Sequence, residues 1–318
     1  MADARCGLVP VSNRHLQAGI ALVIVLWVVM LLSLMAASFA YTLRTETTLA
    51  THATERVRAL ALAEAGIHYA AYRLLIQRDP ENPWPTDGRV RRWLFGDGMV
   101  DIEAVDASGR IDINSADRAL FEGLLTVIGG LDEAAAGELL DRIEDYRDPD
   151  DLERPAGAER DSYLQAGLVT GPSNAPFETI EELQQVLGMS LPLYRRIAGA
   201  ITVHSRQPGI APEAASAEVL SAVPGIDPQL AADYVRQRQD MEPLDIAALP
   251  PLPAAGEFLS AGTGRAVHLV VTARVSDEAS STVAAVISSR QQVQEPFRLE
   301  SWREGWTLAD QDQGAAAP

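Results

Sequence analysis

From Ile20 to Tyr41 no charged residue interrupts the apolar positions. That run is about the 20 residues a helix needs to cross a bilayer, and exceeds the roughly 7–15 of a secretory signal core. Beyond it the pattern changes rather than stops. Ala53, Val57, Leu60, Ala61, Ile67, Ala71, Leu74 and Leu75 recur at spacings of three and four, while Glu55, Arg56, Arg58 and Arg73 fall on other faces. No proline occurs between Ile20 and Asp79. The pattern predicts one helix of about 58 residues, apolar all round in its first half and amphipathic in its second. Ser38-Phe39-Ala40 also fits the small-residue cut site of a cleaved signal, the competing reading of the same stretch.

DPENPWPTDG (79–88) ends the helix with three prolines. MVDIEAVDASGRIDIN (99–114) then alternates through Val100, Ile102 and Ala104, turns at Ser108-Gly109, and resumes at Ile111 and Ile113, a pattern that predicts a hairpin. Helical patterning follows for about 130 residues. Strand patterns return in 266–275, 281–290 and 297–306, and the last residues read as a loose tail. An isolated hairpin is only marginally stable, so the separated strands are expected to share one sheet packed on the long helix. The predicted fold class is α+β: a long N-terminal helix on an antiparallel sheet, interrupted by a large all-α insertion. The expected divisions are a leader (1–19), a membrane-spanning half-helix (20–41), a first sheet part (42–111), the insertion (112–254), C-terminal strands (255–306) and the tail (307–318).

Within the insertion, LLTVIGGLDEAAAGELLDRIEDYR, LQQVLGMSLPLYRRIAGAITVH and LSAVPGIDPQLAADYVRQRQ each place a small-residue turn before an amphipathic helix. The third copy, within 212–250, resembles a helix-hairpin-helix around Pro224-Gly225-Ile226. In nucleic-acid-binding versions such a turn and the next helix's N-terminus face a phosphate. Here Asp227 and Asp233 flank it, which favours a structural hairpin.

Charge narrows the choices. The 318 residues carry a net charge of −18, and every one of the 26 basic side chains is arginine. An acidic surface of that kind does not suit a phosphate backbone. The only cysteine, Cys6, precedes the apolar run, so the part beyond the membrane can form no disulfide. Arg5 and Arg14 against Asp3 alone predict a cytoplasmic N-terminal flank, with the rest of the chain across the membrane.

No nucleophile elbow, phosphate loop or His-Glu-x-x-His motif occurs, and the five histidines lack metal-ligand spacing, so an enzyme has nothing convergent to rest on. The one dense acidic stretch is EDYRDPDDLERPAGAERDSY (144–163). Asp148, Asp150, Asp151, Glu159 and Asp161 offer hard oxygen ligands suited to calcium, though not at EF-hand spacing. The alternative is a solvated acidic loop that caps backbone amides.

QAGIALVIVLWVV resembles the leader junction of type IV pilins and pseudopilins. YRDPDDLERPAGAERDSY and GPSNAPFETIEELQQVLGMSLPLYRRI resemble the α-domain signature of the minor pseudopilin K family of type II secretion. The likeness runs from Gly19 to about Trp306. It implies a pilin-like fold and cleavage after Gly19 by a prepilin peptidase, with methylation of the new amine on Ile20. It further implies a single-pass inner-membrane subunit with a periplasmic C-terminal domain. Position 24, where most pilins carry glutamate, is Ile24. Without that carboxylate the subunit cannot neutralise a neighbour's terminal amine, and a large insertion fits poorly among stacked subunits, so the resemblance implies a place at the filament tip. The expected role is non-enzymatic: starting pseudopilus assembly with the minor pseudopilins I and J and supporting export of folded proteins. Contacts with the secretin or with exoproteins are also expected, Ala53, Val57, Leu60 and Ile67 are candidate partner contacts, and the family's calcium binding makes the acidic stretch its candidate site. The alternatives are a minor pilin of a type IV pilus and a membrane-tethered helix-hairpin-helix DNA receptor.

Overall fold

The computed structural model describes residues 15–76, 83–241, 249, 252, 256–262, 265–277, 279–292 and 295–305. Leader residues 1–14 with Cys6, positions 242–248 of the hairpin segment, Trp306 and the tail lie outside them.

The chain divides into two units, with the division between Glu55 and Arg56. The described part of the first is the N-terminal stretch of helix α1 (His15–Ala71). Its apolar side chains from Leu22 to Tyr41 are exposed, and the helix is long and apolar enough to cross a membrane. Just beyond, the hydroxyls of Thr42, Thr47, Thr48, Thr51 and Thr54 each donate to the carbonyl four residues earlier at 2.8–3.1 Å. The threonines thereby satisfy themselves on the helix instead of breaking it.

In the second unit the last turns of α1 bury Ala59, Ala63, Ile67, Ala70 and Ala71, a single face at helical spacing. A π-helical turn, Tyr72–Ile76, ends the helix. That face rests on a five-stranded sheet of order β1-β2-β5-β6-β7, antiparallel throughout. The strands are β1 (Asp87–Phe95), β2 (Gly98–Asp106), β5 (Ala266–Arg274), β6 (Ser280–Gln292) and β7 (Glu295–Glu304). Alternate residues point inward: Val100, Ile102 and Ala104; Val267, Leu269, Val271 and Ala273; Val283, Ala285 and Ile287. Gly66 sets the distance between helix and sheet. A Cβ there would stand 2.7 Å from Val271 Cγ1 and 2.8 Å from Val100 Cγ1, closer than carbon atoms pack.

The structure corrects the predicted hairpin. The alternation at 100–104 is the second arm of a hairpin whose first arm is β1, with Gly96-Asp97 between them. Ser108-Gly109 belongs to a 3₁₀ turn capped by Asp106, whose carboxylate accepts from the Ser108 amide at 2.9 Å. Ile111 cannot return to β2, because β1 and β5 already occupy its two edges. It joins instead a short parallel pair, β3 (Ile111–Asp112) with β4 (Ile201–Thr202).

That pair opens the α-rich part, inserted between β2 and its sheet neighbour β5. It holds α2 (Arg118–Gly123), α3 (Glu133–Arg147), α4 (Arg160–Gln165), α5 (Leu191–Ile197), α6 (Ala217–Ser221) and α7 (Pro228–Asp240). Leu120, Leu124, Leu125, Leu140, Ile143, Ile197 and Leu220 fill a core separate from that under α1. Asp112 is buried at its base and accepts from the Arg206 amide (2.8 Å) and the Ser205 hydroxyl (3.1 Å). One turn geometry recurs before α3, α5 and α7. A left-handed glycine (Gly130, Gly188 or Gly225) is followed two residues later by Asp132, Ser190 or Asp227, whose side chain caps the helix. The glycine takes a φ of +71° to +93° that a Cβ would oppose.

Candidate functional site

The acidic stretch begins at the C-terminal end of α3, where the helix turns Asp145 into the interior and hands over to an extended Asp148. Asp145 is fully buried and fully partnered. It accepts from Arg154 Nη1 at 2.6 Å and from the amides of Ala158 (2.9 Å) and Arg154 (3.2 Å). Arg154 also reaches Asp148 Oδ2, and its Nε pairs with Glu144 Oε2 at 2.9 Å. Arg118 holds Glu144 (2.7 Å) and Asp141 (2.6 Å) from the other side. The loop folds over this network because Gly157 has no Cβ, which would lie 1.8 Å from Asp145 Oδ2.

At the margin of the network several buried oxygens are left without a partner. Glu159 is buried and neither of its carboxylate oxygens has a hydrogen-bond partner. Asp148 Oδ1 and Asn174 Oδ1 are likewise buried and unpartnered. Asn174 belongs to the same loop system: its amide donates to the Tyr146 carbonyl (3.0 Å) and its Nδ2 to Asp151 Oδ1 (2.9 Å), from a left-handed backbone at φ 50°. Desolvation, with repulsion from Asp145, Asp148, Asp151 and Asp150, pushes the Glu159 carboxyl up to about 7.

The five predicted positions therefore separate. Asp148 and Glu159 turn inward with orphaned oxygens. Asp151 is exposed and reaches Asn174, whereas the exposed Asp150 caps its own turn at the Leu152 amide (2.9 Å). Asp161, exposed in the first turn of α4, makes no hydrogen bond or ion pair among the described residues. Asn174 is not among the sequence candidates, since a neutral amide 11 residues beyond the acidic run gives no charge signal. Carboxylate and amide oxygens that only accept are the ligand type a hard divalent cation takes. Among the described residues no three His, Cys, Asp or Glu side chains already form a metal-holding group.

Elsewhere, Gly19 and Ile20 lie in α1. Of the candidate contacts, Ala53 and Val57 are exposed and Leu60 is half-buried, whereas Ile67 is buried against the protein's own sheet. At the Gly225 turn, the Asp227 carboxylate already accepts from the Leu230 amide (2.8 Å), so the protein's own acid occupies the place a phosphate would take.

An N-terminal helix long and apolar enough to cross a membrane, an antiparallel sheet packed on its last turns and an α-rich insertion between two adjacent strands fit a subunit with a single-pass anchor and a folded α+β part. Within it, residues 98–206, from β2 across the acidic loop to the base of the insertion, match the family model of type II secretion system protein K. The likeness to the minor pseudopilin K family is thereby established. The fold is also that of a chain in the crystal structure of the GspK-GspI-GspJ complex from the enterotoxigenic Escherichia coli type 2 secretion system. The two are 17% identical with a TM-score of 0.53, over 83% of this chain and 99% of that one. No curated protein matches the chain.

Proposed function

We propose that this chain is a minor pseudopilin K: a non-enzymatic subunit at the tip of the type II secretion pseudopilus, which starts assembly with the minor pseudopilins I and J. It would thereby support export of folded proteins across the outer membrane, with contacts to the secretin or to exoproteins made from the tip. The observation that carries this reading is the protein K match over residues 98–206, which spans the junction between sheet and insertion. Ile24 in place of the usual glutamate supports the tip position. A prepilin peptidase would cut after Gly19 and methylate Ile20, with the N-terminus cytoplasmic and the folded part periplasmic in the inner membrane. The protein K match and the capped Gly225 turn speak against the type IV pilus and DNA-receptor alternatives.

Two measurements test it. The mature chain isolated from membranes is expected to begin at N-methylated Ile20 only where an active prepilin peptidase is present. A start at Met1 or Tyr41 refutes the pilin pathway. Co-expression with the I and J pseudopilins is expected to yield a complex of three subunits, and failure of the processed chain to join them refutes the K role.

A second proposal concerns the acidic loop. Asp148, Glu159 and Asn174 would hold calcium, with Asp151 beside them, and the ion would supply the positive charge that the orphaned oxygens lack. Calcium at 100 times its Kd should stabilise the full chain by about 2.7 kcal/mol. Equal thermal midpoints in calcium and in chelator would reject the site.

A further inference from the structure

A cleft of about 1160 Å³ opens between the outer side of β5–β7 and the α-rich insertion. That is above the roughly 300–1,000 Å³ of ordinary small-molecule sites, so a single ion would leave it largely empty. Arg110, Tyr194, His204, His268, Glu300 and Arg303 line it, together with apolar wall from both sides.

Four arginines and four glutamates line it, but not all of them pair within the cleft. Glu181 is taken by Arg303 in an ion pair, and Glu300 by the Ser288 hydroxyl (2.6 Å) and Arg298 (3.5 Å). The Arg110 amide donates to the Ala107 carbonyl (3.1 Å), but its side chain makes no hydrogen bond or ion pair among the described residues. It sits where the chain leaves the 3₁₀ turn for β3, desolvated enough that its pKa is pushed down to about 10; Glu103 works against that shift and Arg303 adds to it. A half-buried guanidinium on the wall of a cleft, with no hydrogen-bonded partner of its own, has its donors free for an acceptor brought by a ligand.

Beside it stand two imidazoles. The His204 and His268 ring centroids are 6.1 Å apart, and His268 Nε2 lies 3.2 Å from Thr202 Oγ1. Burial lowers both pKa values. Arg110, His204 and Arg303 depress His268 further, while Glu300 and Asp112 raise His204 and Arg206 lowers it. Both rings are therefore neutral at pH 7, each with one N–H to donate.

We infer that this cleft binds an extended peptide segment of a partner protein through a carboxylate seated on Arg110, with the two imidazoles as donors and the apolar walls taking the flanking side chains. The planar fork of arginine matches a carboxylate. Four glutamates, Glu178, Glu181, Glu218 and Glu300, line the cleft against four arginines, Arg110, Arg195, Arg196 and Arg303, and a lining so balanced favours a single carboxylate over a polyanion or a dianionic phosphate. The inference is independent of the secretion role.

The test uses the full chain in lipid nanodiscs and a fluorescein-labelled tetrapeptide with one glutamate between leucines, read by anisotropy. Saturable binding is expected, about tenfold weaker or more for the glutamine version of the peptide and for Arg110→Gln. Arg110→Lys should fall between, since it keeps charge and loses the fork. In the wild-type chain, the His268 titration followed by NMR should move upward when the peptide is bound. That shift decides the matter even if the variant misfolds. Equal binding of the glutamine peptide, displacement by inorganic phosphate at matched concentration, or an unmoved His268 titration overturns the inference.

Discussion

Replacing Arg154 by methionine should unlock the acidic loop from α3. The substitution keeps the length of the side chain and removes the cation that faces Asp145, Asp148 and Glu144. Removing one partner of a buried ion pair costs about 3–5 kcal/mol, because the other charge stays behind without compensation. Two facts reduce that here. Asp145, with no exposed side-chain surface, keeps the amides of Ala158 and residue 154, and Arg154 itself is 34% exposed, so solvent already screens part of the interaction. Glu144 also retains Arg118. The expected loss is about 2 kcal/mol, roughly 4–8 °C in thermal midpoint for a domain of this size. The assay is denaturation of the full chain in nanodiscs, in chelator, followed by tryptophan fluorescence, with Asp145→Asn and the double variant completing a cycle. In the Asp145→Asn background the Arg154→Met cost should shrink by at least half. A loss below about 0.5 kcal/mol, the scale of an exposed pair, or an equal loss in both backgrounds, would refute the reasoning.

Glu159→Gln should change how stability varies with pH. A carboxyl raised to about 7 in the fold and ordinary in the unfolded chain favours the protonated native state. Its stabilising contribution is complete below the usual carboxylate range and lost as pH rises toward 7, so in chelator the glutamine variant should be the more stable above neutrality. Adding calcium should reverse that order, and matched pH curves for the two proteins would count against the buried carboxylate. Gly66→Leu should lift α1 from β2 and β5 and cost about 1–3 kcal/mol in chemical denaturation, and an unchanged midpoint would mean the helix does not seat this closely. Asp227→Ala should cost about 1 kcal/mol through the lost cap of α7, and hydrogen exchange should localise the effect to its first turn.

What could be read from the chain divides along physical lines. The second half of the long helix, β5 and β6 were legible because each shows its period over eight or more residues, and burial follows the same period. β1 was not, since in the edge strand DGRVRRWLF the exposed positions hold Val90, Arg92 and Leu94 and the half-buried ones Arg89, Arg91 and Trp93, so no apolar alternation marks it. The β2 pattern was seen but joined to the wrong partner. Ile111–Asp112 is only two residues long and pairs 90 positions away, and nothing local announces such a contact. At the acidic loop, composition singled out Asp148, Asp150, Asp151, Glu159 and Asp161 alike, of which Asp148 and Glu159 bury unpartnered oxygens. It could not distinguish them from Asp150 and Asp161, because burial is set by how Gly157 lets the loop close over Asp145. Asn174 carried no charge to notice.

The register between β2 and β5 has a consequence for how the molecule comes together. Asp106 pairs with Val267, so strands adjacent in the sheet are separated in sequence by the whole insertion. Closing a flexible loop of about 160 residues costs about 4–5 kcal/mol in chain entropy before any strand contact repays it. A folded insertion removes most of that cost, because it brings its own two ends together. The Ala211 amide reaches the Ser108 carbonyl at 2.7 Å, and the Ser260 amide reaches Ile210 at 2.8 Å. An insertion that folds before the sheet closes would thus act as the hairpin turn of the sheet. Until it does, the β1–β2 ribbon presents the bare edge of β2, and any delay in the insertion becomes a hazard of strand addition by another chain.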